Sequence, residues 1–249
     1  MRDSYLPENR RMSYKNLNDA FRRRALVPFL QAADHVSGLC VSIAVNKRIA
    51  NLCSYKTMAE ESRRRGILKT NWAPKTFERM MRIVQFVAFF FARVSTAGQN
   101  FFWISDQDEC FAGPKAMDTK RMMESFSTAY CRHDLGELGL GTTDIDEADR
   151  FDEDSAAVPD LVAGATAEAM TGLHAIYGCI LSIAVVAPKL SRKSSIIIDW
   201  FLSDLGQLKK LGVVFDTRRA EDGTSRNRIG TWTIGSTRYS EEASGLWTP

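Results

Sequence analysis

Phe101-Phe102-Trp103-Ile104-Ser105, followed at once by Asp106-Gln107-Asp108-Glu109, is an apolar run that breaks abruptly into carboxylates. A buried strand that delivers acids to the edge of a sheet has this form, and carboxylates at such an edge suit metal chemistry. The segments on either side alternate between helical and strand-like patterns, so the reading is an α/β domain.

Working outward, Asn16 to Ala33 places Leu17, Phe21, Leu26, Phe29 and Leu30 at helical spacing, with Arg22, Arg23 and Arg24 on the polar side. Leu39 to Val45 is short, β-branched and nearly uncharged, which predicts a buried strand with Lys47 and Arg48 just past its end. The polar, basic stretch Tyr55 to Lys69 includes Arg63, Arg64 and Arg65. Pro74 then opens a long apolar helix to about Ala97, stopped by Gly98. Pro114 starts another helix, to about His133, and Gly136, Gly139 and Gly141 punctuate a return segment ending at Thr143. Their order is not that of a dinucleotide fingerprint, so a turn is expected. Pro159 is expected to begin a helix extending past Met170, and Ser194 to Leu202 is a further apolar piece. Leu208 to Val214 and Arg228 to Ile234 frame Asp222-Gly223, a hairpin signal. The expected division is a main domain over 1–188 and a C-terminal extension with a β-hairpin over 189–249.

Composition limits the function classes. The chain has 249 residues, 45% hydrophobic and 25% charged, enough to bury a sizeable core. Its longest apolar stretches, Phe86 to Ala92 and Ala175 to Ala187, fall short of the roughly 20 residues a membrane span needs. No apolar leader follows Met1-Arg2-Asp3-Ser4, so a cytoplasmic protein without membrane partners is expected. The five cysteines (Cys40, Cys53, Cys110, Cys131, Cys179) contain no Cys-x-x-Cys pair and are expected to be reduced and mostly buried. The acid beside Cys110 argues against a thiolate there.

Charge is distributed unevenly. Residues 1–82 carry 17 Lys/Arg against 7 Asp/Glu, residues 83–170 carry 6 against 16, and residues 171–249 carry 10 against 7. A basic portion beside an acidic centre is what a metal-dependent enzyme acting on a polyanion needs: cations hold phosphate while acids hold metal. Solvated surface charge is the plainer alternative. Asp144 to Asp154, with seven acids in eleven residues, reads as an exposed loop and lacks the spacing of a calcium loop.

Within the acidic centre, Asp160 is expected in the first helical turn after Pro159, where the helix dipole favours an ionised carboxylate. Ala163, Gly164 and Ala167 follow at three, four and seven residues, and such small side chains would let the helix lie close on a sheet. If that sheet contains residues 100–105, Asp106 and Asp160 can share Mg²⁺ or Mn²⁺, with Asp108 or Glu109 as a further ligand. The histidines His35, His133 and His174 lack ligand spacing and are read as structural. Arg22 to Arg24, Arg63 to Arg65, and Arg218, Arg219, Arg226 and Arg228 are candidate phosphate contacts.

Met12-Ser13-Tyr14-Lys15-Asn16-Leu17, Val41 to Arg48 with Asn46-Lys47, the strand ending at Asp106, and Ala156 to Ala165 around Pro159-Asp160-Leu161-Val162-Ala163 together resemble an uncharacterised bacterial family of ribonuclease H-like proteins. The resemblance spreads over roughly residues 12–215 through short motifs, and Pro159 stands where the family has alanine. It implies a ribonuclease H-like mixed sheet flanked by helices and a metal-dependent nuclease activity. Asp160 is then the late acid, Asp106 the mid-sheet acid, Lys47 a catalytic basic residue and Lys15 a phosphate contact. Family members open with a strand bearing an aspartate-glutamate-serine motif, whereas this sequence begins at the lysine motif. A shortened or degenerate member is therefore expected. The rival expectation is a non-catalytic module that binds nucleic acid through its basic portion, or a protein partner through its acidic loop; nothing in the sequence sets an oligomeric state.

Overall fold

The computed structural model describes residues 12–45, 55–105, 108–131, 133–142, 150–177, 190–203, 205–219, 225–233 and 236–240. The chain forms two compact units, one built from Met1–Ala50 and Phe151–Pro249, the other from Asn51–Arg150. The sequence reading had set its boundary at 188. The described residues make a mixed α/β structure with six α-helices and two sheets. None of these helices is long and apolar enough to cross a membrane.

In the first unit, α1 (Ala20–Ala33) is capped by Asp19, whose side chain accepts the backbone N–H of Phe21 and Arg22. Leu26 and Leu30 are buried one turn apart, but Phe21, expected on the same apolar face, is half exposed and lies beside the Arg24 guanidinium. Strand β1 (Gly38–Val45) forms where the β-branched run predicts it. It pairs in parallel with β4 (Leu208–Arg219), which continues antiparallel to β5 (Ser225–Thr233) and then β6 (Ser236–Ser240). The expected turn at Asp222-Gly223 lies outside the described residues. Helices α5 (Arg150–Tyr177) and α6 (Arg192–Leu202) complete the unit. Its core joins Leu17, Leu26, Leu30, Leu161, Val162, Ala165, Ile197, Phe201 and Val214.

The start of α5 corrects two expectations. Pro159 does not begin the helix but lies inside it, and Asp152 to Asp154 are helical rather than looped. Proline in a helix interior removes one hydrogen bond and crowds the carbonyl four residues back, a cost that packing on either side must offset. Pro159 is exposed, while the buried Ala157 and Leu161 anchor the helix on either side of it.

The second unit contains α2 (Tyr55–Arg64), α3 (Pro74–Val94), β2 (Phe101–Ser105), α4 (Gly113–Tyr130) and β3 (Leu138–Thr142). Helices α3 and α4 bury Phe77, Met80, Met81, Val84, Met122 and Met123 in a core shared with Trp72, Cys110 and Phe111. β2 and β3 form their own two-stranded parallel sheet, separate from the sheet of β1. The single mixed sheet of the sequence reading is thus replaced by two.

Nor is β2 buried on both faces. Phe101 and Trp103 pack inward, whereas Phe102 is 70% and Ile104 48% exposed. Gly139 and Gly141, read as turn glycines, sit in β3. A Cβ on Gly139 would fall 2.3 Å from the Phe102 ring, so the glycines make the seat on which that ring lies.

Candidate functional site

Tyr14 is the hub of the first unit's polar cluster, and one stripe of α5 receives it. Asp160, Gly164 and Glu168 stand four residues apart on that helix and therefore share a face. Asp160 Oδ2 accepts the Tyr14 backbone N–H at 2.9 Å. Gly164 lies under the ring, where a Cβ would be 2.2 Å from the ring carbon Cγ. Glu168 Oε2 accepts the Tyr14 hydroxyl at 2.5 Å.

The same carboxylate organises the start of α6. Glu168 accepts the Ser191 N–H at 2.6 Å, the Ser191 hydroxyl at 2.9 Å and the buried Ser194 hydroxyl at 2.7 Å. Burial pushes the Glu168 carboxyl up, but these bonds and that from Tyr14 outweigh it and bring it down to about 2. The Tyr14 phenol is raised, first by burial and then by Glu168. Lys193 Nζ sits 4.3 Å from the Tyr14 ring centroid, a cation–π contact.

This geometry changes the role expected of Asp160. It lies in the interior of α5 rather than in a first turn, so the helix dipole does not act on it as expected. Its oxygen fixes the backbone entering the short 3-10 turn Tyr14–Asn16. Ala163 and Ala167, expected to face a sheet, are exposed, and of the three small residues only Gly164 makes a close approach.

Replacing Gly164 with Ala should therefore expel the tyrosine despite a gain in helix propensity of about 1 kcal/mol. We expect a net loss of roughly 2 kcal/mol in urea unfolding, whereas Tyr14→Phe, which keeps the ring, should cost less.

Beside this cluster α1 and the start of α6 enclose a cleft of about 550 Å³. Leu17, Leu26, Val27 and Ile196 form its apolar part, and Asn18, Ser191, Arg23, Arg24, Arg192 and Lys193 its polar part. No acidic residue is among these described lining residues. The cleft thus concentrates positive charge over a partly apolar floor, an arrangement that attracts phosphate. Lys15 is exposed on the neighbouring 3-10 turn, and Arg22 is half-buried.

The second unit's acids are occupied locally. Asp108 caps the 3-10 turn Glu109–Phe111 by accepting the Cys110 N–H at 2.8 Å, and pairs with Arg79 Nη2 at 2.8 Å. Glu109 pairs with Lys115, which holds its carboxyl below the ordinary range. Asp106 and Lys47 lie outside the described residues. Arg63, Arg64 and Arg65 are exposed at the end of α2, and Glu61 accepts bonds from Arg64 and Arg65. Those two guanidiniums bring Glu61 down to about 2.

The premise for a shared ion was that β2 and the helix of Asp160 belong to one sheet layer. β2 belongs to the second unit and Asp160 to the first, and each is described within its own unit. Among the described residues no three His, Cys, Asp or Glu side chains are grouped to hold a metal ion. Thiol chemistry is disfavoured at Cys40 and Cys110, both pushed up to about 11, chiefly by burial.

The sequence reading missed Asp118, Tyr14, Glu168, Arg192 and Lys193 as organising residues. Asp118 is fully buried on α4 and accepts bonds from Lys69 N, Thr70 N, Thr70 Oγ1, Trp72 Nε1 and Arg121. Its one sequence signal was an aspartate four residues before the buried Met122, on the core face of a helix. No family model, curated protein or solved structure matches the chain.

Proposed function

We propose that the chain is a nucleic-acid-binding module that holds the phosphate backbone in the cleft between α1 and α6. The observation that carries this reading is the convergence of Arg23, Arg24, Arg192 and Lys193 on one cleft whose described lining contains no acid. Cations from two helices lining one concavity are better placed for phosphate than a single charged helix face. The resemblance to ribonuclease H-like proteins supports the same ligand class, with nucleic acid held on a scaffold of that kind.

The test is fluorescence anisotropy with labelled 20-nucleotide RNA and DNA, single- and double-stranded, across a salt series. Four phosphate contacts to a single strand predict a log–log salt slope near −2.8, from about 0.7 per phosphate. The double reversal Arg24→Glu/Arg192→Glu should weaken binding by more than about tenfold and flatten the slope by about half. Unchanged affinity in that variant would remove the cleft from the interaction.

A second reading is Mg²⁺- or Mn²⁺-dependent phosphodiester hydrolysis with Asp106 and Asp160 as ligands and Lys47 against phosphate. It rests on the resemblance, and on Asp160 being a half-buried carboxylate held in one orientation by the Tyr14 N–H. Adding either ion to the same assay separates the two readings. Cleavage lost in Asp106→Asn favours hydrolysis, and binding without turnover favours the module.

A further inference from the structure

A second cavity, of about 510 Å³, lies wholly within the second unit and plays no part in the cationic cleft. Its volume is within the range of small-molecule sites. Phe91 and Phe101 form an aromatic wall, their rings stacked at 4.5 Å and both only half-buried, with Leu135 and Leu138 beside them. The outer side of such a stacked pair, where it stays partly open, can stack on a flat ligand.

The rim is built rather than loose. Gly98 N–H donates to Asp134 O and Gly136 N–H to Gln99 O, each at 2.9 Å. Phe101 N–H donates to Glu137 O at 2.9 Å, and Glu137 N–H to Asn100 Oδ1 at 2.8 Å. The His133 ring is fixed by Ser95 Oγ at 3.0 Å from Nε2. A ligand entering this cavity would find the segment 133–137 already ordered, which lowers the entropy cost of binding.

Among the described lining residues the charge is opposite to that of the cleft in the first unit. Asp134 and Glu124 stand exposed on the rim, and neither Lys nor Arg is among the described lining residues. Lys120 reaches Glu124 at 3.8 Å from the next turn of α4, a weak surface pairing that leaves Asp134 as the stronger attraction for a cation. The hydroxyl of Thr128 is turned back to the Glu124 carbonyl at 2.9 Å.

We propose that this cavity is a small-ligand site for an aromatic amine, with its flat body against Phe91 and Phe101 and its ammonium group toward Asp134 and Glu124. The proposal is independent of nucleic-acid binding.

Tryptamine is a suitable probe, indole-3-acetate its anionic counterpart, and Cys131 a reporter within the lining. Calorimetry on the full chain should show saturable one-to-one binding of tryptamine. Asp134→Asn/Glu124→Gln should weaken it about fivefold or more, and indole-3-acetate should bind at least about fivefold more weakly than tryptamine. N-ethylmaleimide labelling of Cys131, followed by peptide mass spectrometry, should slow several-fold with tryptamine bound. Absence of saturable binding, equal affinity for the two indoles, an unchanged double variant or unprotected Cys131 would each overturn the assignment. Both substitutions are at exposed positions, so a folded variant is expected, and its circular dichroism spectrum should match that of the parent.

Discussion

Replacing Asp118 with Ala is expected to destabilise the second unit by about 4 kcal/mol, because a buried carboxylate would leave several donors behind. Lys69 N, Thr70 N, Thr70 Oγ1 and Trp72 Nε1 all donate to it within 3.0 Å, and Arg121 adds a charged bond. These donors fix residues 69–72 between α2 and α3, and Trp72 and Leu68 enter the core from the same segment. The loss should appear as a shift in the urea midpoint and as early exposure of tryptophan fluorescence.

The pH dependence follows from the same bonds. Burial alone would raise the Asp118 carboxyl, but Thr70, Trp72 and the two backbone N–H groups outweigh it and hold it well below the usual carboxylate range. A folded-state value below the unfolded one stabilises the protein above about pH 4 and loses that contribution as pH falls toward the folded value. The stability gap between the parent and Asp118→Asn should therefore be constant near neutrality and narrow only below about pH 4. A gap unchanged down to pH 2 would mean that the charge contributes little.

The second large effect is expected in the first unit, at Lys210 on β4. Its side chain is 3% exposed and its ammonium lies 2.7 Å from Asp34 Oδ1, 3.2 Å from Leu205 O and 3.3 Å from Ser203 Oγ. The Trp200 ring centroid is 4.4 Å away. Asp34 follows α1 as its C-cap, and its carbonyl also accepts the Gln207 N–H at 2.7 Å. One lysine thus joins the end of α1, the end of α6 and the start of β4. Lys210→Met should cost about 3–5 kcal/mol, since it leaves a mostly buried carboxylate without its cation. Removing both charges in Lys210→Met/Asp34→Leu should recover much of that loss. A double-mutant cycle by chemical denaturation checks this, and strict additivity would show that the two groups act separately.

Local pattern made much of the architecture legible. The β-branched run of β1 and the prolines at the starts of α3 and α4 each carry their own signal, and the structure places those elements within a few residues of expectation. Helix α2 was hidden because its buried side chains are only Ala59 and Ser62, too few for an apolar stripe. Strand β3 was hidden because Leu-Gly-Leu-Gly reads as a turn unless Phe102 is known to rest on the glycines. Pairing was not legible at all: whether β2 joins β1 or forms its own ladder depends on partners far along the chain.

The candidate site shows the same division. Arg23 and Arg24 were visible as a cationic helix face, whereas their convergence with Arg192 and Lys193 depends on how α1 packs against α6. Asp160 drew attention as an acid beside small residues. Its observed partner is a backbone N–H 146 positions earlier, which no local motif encodes.

The parallel pairing of β1 with β4 joins Gly38 to Leu208, 170 positions apart, around a second unit that occupies the interval. On the ribosome β1 must therefore wait for its mate until residues 208–215 have been made, while the intervening unit can already have all of its own contacts. Nascent chains halted near residue 190, with residues 51–150 clear of the ribosome, should show a protease-resistant second unit next to an earlier segment that is still readily digested.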